Sequence, residues 1–324
     1  MATITGKKVG PIGYGLMNLT WREEPIPDPQ AFAAMKAALS AGCNFWNAGV
    51  FYGSPEANSL QLLKRYFTQY PEDADNVVLS VKGGNVPGKM AISGAPQNLR
   101  RSIDECLGLL DGSKSIDIFE MARQDAETPL QESIETIAKY VKEGKIGGIG
   151  ISEVTAQQIR ANAALHPIAA VEVELSIQSP DILDNGVVET CNELNIPVVA
   201  YSPLGRGLLT ASIKNLDDLD PNDIRRQLPR FKSENLGKNA RMGTELQAIA
   251  KAKGCSPAQV AIAWARSWSK KPGMPLIIPI PGSTTEQRAS ENGQQISLSD
   301  QELSEIEELR KSTAVVGGRY PAGH

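Results

Sequence analysis

The sequence predicts an α/β protein built as a closed (β/α)8 TIM barrel. Short extended segments and amphipathic helical segments alternate along the 324 residues, and eight extended segments can be counted. Strands joined by crossover helices form a parallel sheet, and eight such units suit closure into a barrel. The length is ordinary for one barrel with insertions, so we expect a single domain over residues 1–324.

The extended segments are short and lie between turn residues, and they define the expected strands. In chain order they cover residues 11–15, 44–47, 77–81, 115–121, 147–151, 169–174, 196–201 and 275–280. The expected helices cover 29–42, 55–69, 95–110, 129–143, 154–165, 181–195, 241–253, 256–270, 284–292 and 299–312. A segment near 204–238 is too long for a plain connection, so we expect a functional loop there, and a tail covers 313–324.

Capping residues support several helix boundaries. Ser54-Pro55 and Ser256-Pro257 each place serine at an N-cap and proline at the first helical position. A doubly wound open sheet is the alternative architecture, and it usually shows a G-x-G-x-x-G turn after its first strand. The segment PIGYGLMNL lacks that spacing, which favours the barrel and places the chemistry in the loops after the strands.

Composition excludes several kinds of partner. The formal net charge is −4 and the pI is about 5.5, so we expect neither nucleic acid nor a membrane surface to bind. The cysteines show no metal-ligand spacing and are expected to be small buried hydrophobes in a reducing compartment; they are Cys43, Cys106, Cys191 and Cys255. No segment resembles a signal peptide or a membrane span, so a cytoplasmic location is expected, with a nuclear one left open.

A tyrosine and a lysine follow neighbouring strands. Tyr52 ends the stretch NFWNAGVFYG, and Lys82 closes VVLSVK. A nearby ammonium favours the phenolate and lowers the pKa of a phenol, which would let tyrosine protonate a carbonyl oxygen. Alternatively, Tyr52 is an ordinary loop tyrosine, and Lys82 is a rim residue or a Schiff-base lysine.

Histidine chemistry and metal sites are not expected. Of the two histidines, His166 precedes the sixth strand, on the opposite end of the barrel, and His324 is the last residue. A different pattern marks IPIPGSTTEQRASEN at 278–292, where a strand leads into a helix that opens with hydroxyl residues. Free N–H groups at such a helix start, with Arg288 one turn further, predict a phosphate site, although an ordinary capped helix is the alternative.

These motifs together resemble the aldo-keto reductases, which are NADPH-dependent (β/α)8 barrels. The resemblance covers essentially the whole chain and rests on four stretches in the family's order: NFWNAGVFYG, VVLSVKGG, AYSPLGRGLLT and IPIPGSTTEQRASEN. The stretches WNAGVFYG, EMARQD, GISEV, AAVEVELS and GGRYP are similar to the fungal-type pyridoxal reductases within this family. Those proteins reduce the aldehyde pyridoxal to pyridoxine, so pyridoxal is the favoured substrate.

The resemblance implies a role for each matching residue. Tyr52 would be the acid/base group, Lys82 its pKa-lowering partner, and Asn47 would occupy the third catalytic position. Residues implied to hold NADPH contact its nicotinamide, pyrophosphate, 2′-phosphate or adenine. They are Ser152, Glu172 and Tyr201 at the nicotinamide, Ser202, Leu204 and Gly207 at the pyrophosphate, Ser283, Thr284 and Arg288 at the 2′-phosphate, and Glu291 and Asn292 at the adenine.

Two catalytic positions depart from the family pattern. Asn47 stands where the family keeps aspartate, and Ala122 stands where it keeps histidine. We therefore hypothesise that Glu120, Glu172 or Glu174 neutralises Lys82 instead, because strand alternation puts these glutamates on faces that could point inward. A Lys82 with no carboxylate within about 6 Å would contradict this hypothesis. The missing histidine would also open space for a substituted pyridine ring.

Three functions stay open from the sequence. The favoured one is NADPH-dependent reduction of an aldehyde, of pyridoxal or of another aromatic aldehyde. The second is an NADPH-binding regulatory or sensor protein with little turnover, which the departures at Asn47 and Ala122 motivate. The third is a Schiff-base lyase that uses Lys82, since the fold alone does not choose among reactions.

Overall fold

A computed structural model describes residues 2–89 and 91–321 of the chain. Its strands are β1 (Ala2–Ile4), β2 (Lys7–Val9), β3 (Tyr14–Gly15), β4 (Phe45–Gly49), β5 (Val78–Gly83), β6 (Ile118–Met121), β7 (Ile149–Ser152), β8 (Ile168–Glu174), β9 (Val198–Tyr201) and β10 (Ile277–Pro279). Strands β1 and β2 form an antiparallel hairpin that the sequence analysis did not predict. Strands β3 to β10 form one eight-stranded sheet in chain order, with every pair parallel.

The sheet closes between its first and last strands. The amide of Gly13 donates to the carbonyl of Pro279 at 2.9 Å, and the amide of Gly15 donates to the carbonyl of Pro281 at 3.2 Å. A parallel bridge between Gly15 and Gly282 continues this seam. The predicted (β/α)8 barrel with eight strands is therefore confirmed.

The helices pack around this sheet. They are α1 (Met17–Thr20), α2 (Asp28–Ser40), α3 (Ser59–Gln69), α4 (Pro96–Leu110), α5 (Leu130–Lys142), α6 (Ala156–Leu165), α7 (Val187–Glu193), α8 (Ser233–Lys253), α9 (Pro257–Ser267), α10 (Glu286–Gly293) and α11 (Asp300–Ser312). Helix α9 has the predicted cap, because Ser256 accepts from the backbone of Gln259 and the Gln259 side chain accepts in return.

Several predicted helices differ from the observed ones, and α8 begins at Ser233 and not at residue 241. Helix α3 begins at Ser59 and not at Pro55, because Asn58 forms a capping box with Gln61 and leaves residues 54–58 in the loop after β4. The helix predicted over 181–195 is broken, since Gly186 has φ +86° and separates a 3-10 turn from α7.

The loop predicted near 204–238 is shorter than expected. Helix α8 starts at Ser233, so the irregular stretch ends about five residues earlier and consists of short 3-10 turns. Side chains of this loop form a small apolar cluster against α8, made by Leu208, Ile213, Leu219, Phe231, Leu236 and Ala240. The loop is thus packed on its own core beside the barrel mouth.

The barrel interior changes from apolar to polar along its axis. The part nearer the N-terminal ends of the strands is filled by apolar side chains from most strands, together with Ile4 and Val9 of the hairpin. These residues are Phe45, Val78, Ile118, Ala170, Val199, Ile278 and Ile280. Above this layer the inward positions carry Asn47, Lys82, Glu120 and Glu172, all buried. Burying charge costs free energy unless it is paired, so this upper layer marks the candidate site.

Within the described part of the chain, no helix is both long and apolar enough to cross a membrane. The cysteines are free thiols, three of them buried and Cys255 partly buried, as the sequence analysis expected.

Candidate active site

Tyr52 lies in the turn after β4, and its ring folds back over the end of that strand. A Cβ atom at Gly49 would lie 3.1 Å from the Tyr52 ring, so glycine leaves room for this close packing. Thr20 donates to the carbonyl of Tyr52 at 2.7 Å, and Trp21 packs on its ring with centroids 5.6 Å apart. The residue is 8% exposed, so it is a fixed, nearly buried phenol and not a mobile loop side chain.

Lys82 lies at the centre of a buried polar cluster beside Tyr52. Its ammonium is 2.9 Å from a carboxylate oxygen of Glu120 and forms a second ion pair with Glu172. It also donates to Asn47 Oδ1 at 3.1 Å, and Asn47 Nδ2 donates to Glu172 Oε2 at 2.6 Å. The Lys82 nitrogen is 5.9 Å from the Tyr52 ring centroid. The structure thus brings the three predicted catalytic residues together.

The parallel register explains why these residues meet. Lys82 pairs with Gly49 on one side and with Glu120 on the other. Glu172 pairs with Ser152 of β7, further around the same barrel layer. The inward-pointing side chains of several strands therefore converge on one point at the C-terminal end of the barrel.

Of the three glutamates proposed as partners of Lys82, the structure places two beside it. Glu120 and Glu172 both contact Lys82, well inside the 6 Å limit. Glu174 does not, and that part of the hypothesis is wrong. Its carboxylate is held by Ser179 at 3.0 Å and by Arg206 at 3.2 Å, because it lies one pleat closer to the barrel mouth.

Burial and charge compete in the pKa values of this cluster. Burial favours the neutral amine of Lys82, but Glu120 and Glu172 outweigh it and raise the lysine pKa above its ordinary value. Burial and the neighbouring Glu120 raise the pKa of Glu172 to about 8, against the lowering effect of Lys82. Lys82 is therefore an ammonium at neutral pH, whereas Glu172 readily holds a proton.

Lys82 lowers the pKa of Tyr52, as expected, but burial has the larger and opposite effect. Burial raises the pKa of Tyr52 to about 12, and the Lys82 ammonium lowers it only in part. Glu172 and Glu120 raise the pKa further by their negative charge. The sequence identified the lysine as the partner of the phenol, but it gave no measure of how deeply the phenol is buried.

Two serines expected at the cofactor have buried hydroxyls without a protein partner. Ser152 ends β7 and is 1% exposed, and Ser283 follows β10 and is 6% exposed. Neither Oγ atom makes a hydrogen bond within the described residues. Buried hydroxyls are normally paired, so a ligand that reaches both positions would satisfy them.

The other residues expected at a cofactor follow β9 or lie on α10. Tyr201 ends β9 and is partly exposed, and Ser202, Leu204 and Gly207 follow it at the start of the long loop. Ser202 has φ +51° and Gly207 has φ +102°, which turns this segment sharply over the mouth. Glu291 and the buried Asn292 lie in the last turn of α10.

The phosphate motif forms a helix start, as predicted, but with a shifted cap. Thr285, not Ser283 or Thr284, is the N-cap of α10, and it accepts from the amide of Arg288 at 3.4 Å. The Thr284 carbonyl accepts from Gln30 at 2.8 Å, which ties the motif to α2. Arg288 is exposed on the first turn, where its guanidinium adds positive charge to the helix N-terminus.

Arg319 and Tyr320 of the C-terminal tail lie against residues at the barrel mouth. Tyr320 shares a 2.9 Å hydrogen bond with the hydroxyl of Tyr201, and Arg206 donates to the carbonyl of Arg319 at 2.8 Å. Arg319 pairs with Glu153 at 3.0 Å. Arg123 lies 5.8 Å from the Tyr320 ring. These contacts join residues far apart in sequence, so no local pattern could have revealed them.

The one histidine that the structure describes lies away from this site. His166 ends α6, and its ring lies against the carbonyl of Pro167 at the opposite end of the barrel from Tyr52. His324 lies outside the described residues. Across residues 2–89 and 91–321, no group of histidine, cysteine, aspartate and glutamate side chains could hold a metal ion.

The family model for the aldo/keto reductase family matches residues 11–311, so the chain belongs to that family. It is 40% identical to "Probable pyridoxal reductase 2" of Schizosaccharomyces pombe, over 99% of this chain and 97% of that protein. It is 34% identical to the aldo-keto reductase yakc of the same yeast, a name that specifies NADP(+), over 96% of this chain and 92% of that protein.

A solved structure shows the same fold. The glycerol dehydrogenase of Gluconobacter oxydans superposes with a TM-score of 0.82, covering 99% of this chain and 98% of that one, at 21% identity. The chain is therefore a barrel of an oxidoreductase family. Its buried polar cluster lies at the C-terminal ends of the strands, where barrel enzymes carry their active sites.

The Glu172 carboxyl predicts a pH-dependent stability difference. Its pKa is about 8 in the folded protein and about 4.5 when unperturbed, so the folded state keeps a proton that the unfolded chain loses. We expect the wild type to lose stability relative to Glu172→Gln as pH rises from 4.5 to 8. Chemical denaturation at several pH values measures this, with the exposed Glu189→Gln as control. A difference that is flat with pH would contradict the shifted pKa.

Proposed function

We propose that this chain reduces an aldehyde to an alcohol with NADPH, and that pyridoxal, converted to pyridoxine, is its favoured substrate. The observation that carries the proposal is a nearly buried Tyr52 beside a Lys82 ammonium held by Glu120 and Glu172. The relatives add support, since one carries a pyridoxal reductase name and another specifies NADP(+).

In this mechanism Tyr52 is the general acid. Bound NADPH would supply a hydride to the carbonyl carbon of the substrate. As that carbon gains the hydride, its oxygen gains negative charge and becomes more basic than a phenolate, so the Tyr52 hydroxyl gives it a proton. With a pKa of about 12, Tyr52 is fully protonated at neutral pH and is ready to act as an acid.

Lys82 stabilises the phenolate that remains after proton transfer. Its ammonium lowers the pKa of Tyr52 both through its charge and through hydrogen bonding. Glu120 and Glu172 keep this ammonium charged in the barrel interior, which the family aspartate would otherwise do. Asn47 bridges Lys82 and Glu172 and so orients the cluster without adding charge.

The cofactor would lie across the barrel mouth between two groups of residues. Ser152 and Tyr201 would meet the nicotinamide, and the buried Ser152 hydroxyl lacks a partner that a carboxamide could supply. Glu172, which the sequence also suggested there, has both carboxyl oxygens engaged by Lys82 and Asn47. Ser283, Thr284 and Arg288 would hold the 2′-phosphate at the start of α10. The pyrophosphate and adenine assignments stay with the residues that the sequence suggested, Ser202, Leu204, Gly207, Glu291 and Asn292.

The substrate would lie between Tyr52 and the tail. Ala122, at 5% exposure, leaves room where the family histidine would stand, which supports a substituted aromatic ring as substrate. Arg123, which follows Ala122, contacts both the hydroxyl and the ring of Tyr320, so these two side chains would form one side of the substrate pocket. A flat heteroaromatic aldehyde is well suited to a pocket with an aromatic wall and a nearby guanidinium.

The alternatives are less well supported. A Schiff-base lyase needs a neutral amine, whereas Glu120 and Glu172 raise the pKa of Lys82 and keep it charged. A regulatory protein that binds NADPH without turnover is favoured only by Asn47 and Ala122, which stand where the family keeps aspartate and histidine.

Replacing Tyr52 with phenylalanine tests the reductase proposal. We expect kcat with pyridoxal to fall by about 10²–10⁴-fold, because the general acid is removed. NADPH affinity should change little. Tyr140→Phe is the matched control, since its hydroxyl contacts Asp104 on the outer helices.

The assay follows NADPH absorbance with pyridoxal and with benzaldehyde, and fluorescence titration gives NADPH affinity. Turnover that survives in Tyr52→Phe would remove the phenol from the mechanism. A wild-type protein that binds NADPH but oxidises none of it with either aldehyde would favour the regulatory alternative.

Replacing Arg288 with alanine tests the choice of cofactor. A charged hydrogen bond to a 2′-phosphate contributes about 1.5–3 kcal/mol, so the Kd for NADPH should rise about 10- to 100-fold. The Kd for NADH should stay nearly constant. Arg160→Ala on α6, which removes an exposed guanidinium paired with Glu193, is the control. Equal losses for both cofactors would show that Arg288 does not bind the 2′-phosphate.

A further inference from the structure

The cluster behind Tyr52 contains more acidic groups than one lysine can neutralise. Lys82 supplies one positive charge, while Glu120 and Glu172 supply two carboxyl groups, and Asn47 is neutral. All four residues are buried, with both glutamates 1% exposed. If both carboxyls were ionised, the barrel interior would hold an uncompensated negative charge, which is costly in a low-dielectric interior.

The hydrogen bonds of Glu120 indicate how this charge is avoided. Its Oε1 atom lies 2.9 Å from Lys82 Nζ, yet it has no hydrogen-bond partner of acceptable direction among the described residues. Glu120 and Glu172 both contact the same Lys82 nitrogen, so their carboxyl groups lie beside each other, and a hydrogen bond between them would require that one be protonated. A shared proton would satisfy the oxygen and remove the excess charge.

Among the described residues, Tyr52 and Lys82 are the titratable groups that face this pair, from the turn after β4 and from β5. Strand β7 contributes Gly150 next to Glu120 and Ser152 next to Glu172, and β9 contributes Val199 next to Glu172. A Cβ atom at Gly150 would lie 3.0 Å from Glu120 Oε2, so glycine there makes the room that the carboxyl occupies.

We propose that Glu120 and Glu172 share one exchangeable proton behind Lys82, and that this proton restores the Tyr52 phenol after each reduction. The second half of this inference rests on the proposed reductase function. Both glutamates act through Lys82 and do not touch the substrate, so they are positioning residues. The raised pKa of Glu172, about 8, agrees with a carboxyl that is protonated at neutral pH.

The proton passes along three groups. Tyr52 gives its hydroxyl proton to the substrate oxygen and becomes a phenolate. Lys82 gives an N–H proton to that phenolate and becomes a neutral amine, and the Glu120–Glu172 pair gives its O–H proton to the amine, which restores the ammonium. The pair, now doubly ionised, recovers a proton from water once product leaves, so one proton is consumed for each hydride.

The state of the pair can be measured without any turnover. Infrared spectra of the full-length protein, labelled with ¹³C-carboxyl glutamate and free of cofactor, report a protonated carboxyl separately from carboxylates. We expect one protonated glutamate at pH 7 that is lost at alkaline pH, because burial and the neighbouring carboxyl raise the pKa of Glu172. Glu120→Gln and Glu172→Gln should each abolish this signal, because a single carboxylate paired with Lys82 stays ionised. Glu174→Gln, which removes a buried carboxylate paired with Arg206, should keep it.

The pH profile of turnover tests the role of the proton. Wild-type kcat for pyridoxal should fall up to about tenfold per pH unit above about pH 8, and Glu120→Gln should lack this fall. A wild-type spectrum without a protonated glutamate at pH 7 overturns the proposal, whether or not the variants fold. If the wild-type pair is protonated but Glu120→Gln shows the same pH profile of kcat, the proton does not restore Tyr52. A protonated pair in a protein that reduces no aldehyde refutes the reductase function instead.

Discussion

The buried ammonium of Lys82 is the constraint on which the upper half of the barrel depends. It is tied to strands β4, β6 and β8 through Asn47, Glu120 and Glu172. Removing one partner from such a buried pair costs about 3–5 kcal/mol, since the remaining charge is left without compensation. A one-residue slip in any of these strands would turn its polar side chain away from the lysine. The cluster therefore helps to fix the register that also positions Tyr52.

The same cluster decides what kind of acid Tyr52 is. Burial outweighs the attraction of Lys82, so the pKa of the phenol lies at about 12, above its usual value. A tyrosine of this kind is not a phenolate in the resting state. It suits the direction of aldehyde reduction, in which a proton has to be given to an oxygen that becomes strongly basic.

Much of this site could be predicted from the order of strands and the polar residues at their ends. The pairing of Tyr52 with Lys82, and the inward glutamates, follow from strand alternation and barrel closure. Glu174 lies two residues beyond Glu172 on β8, so its side chain points to the same face but closer to the barrel mouth. There it pairs with Arg206 and not with Lys82. The sign of the Tyr52 pKa shift and the contact of Tyr320 with Tyr201 depend on burial and long-range packing, which sequence spacing does not contain.

A crystal structure of the protein with NADP⁺ bound would test the central claim most directly. The account predicts the nicotinamide against Tyr201, with the Ser152 hydroxyl bonded to its carboxamide and the Tyr52 hydroxyl at the ring edge. It also predicts Lys82 still held between Glu120 and Glu172. A nicotinamide bound away from Tyr52, or a Lys82 side chain swung out of its carboxylate partners, would contradict it.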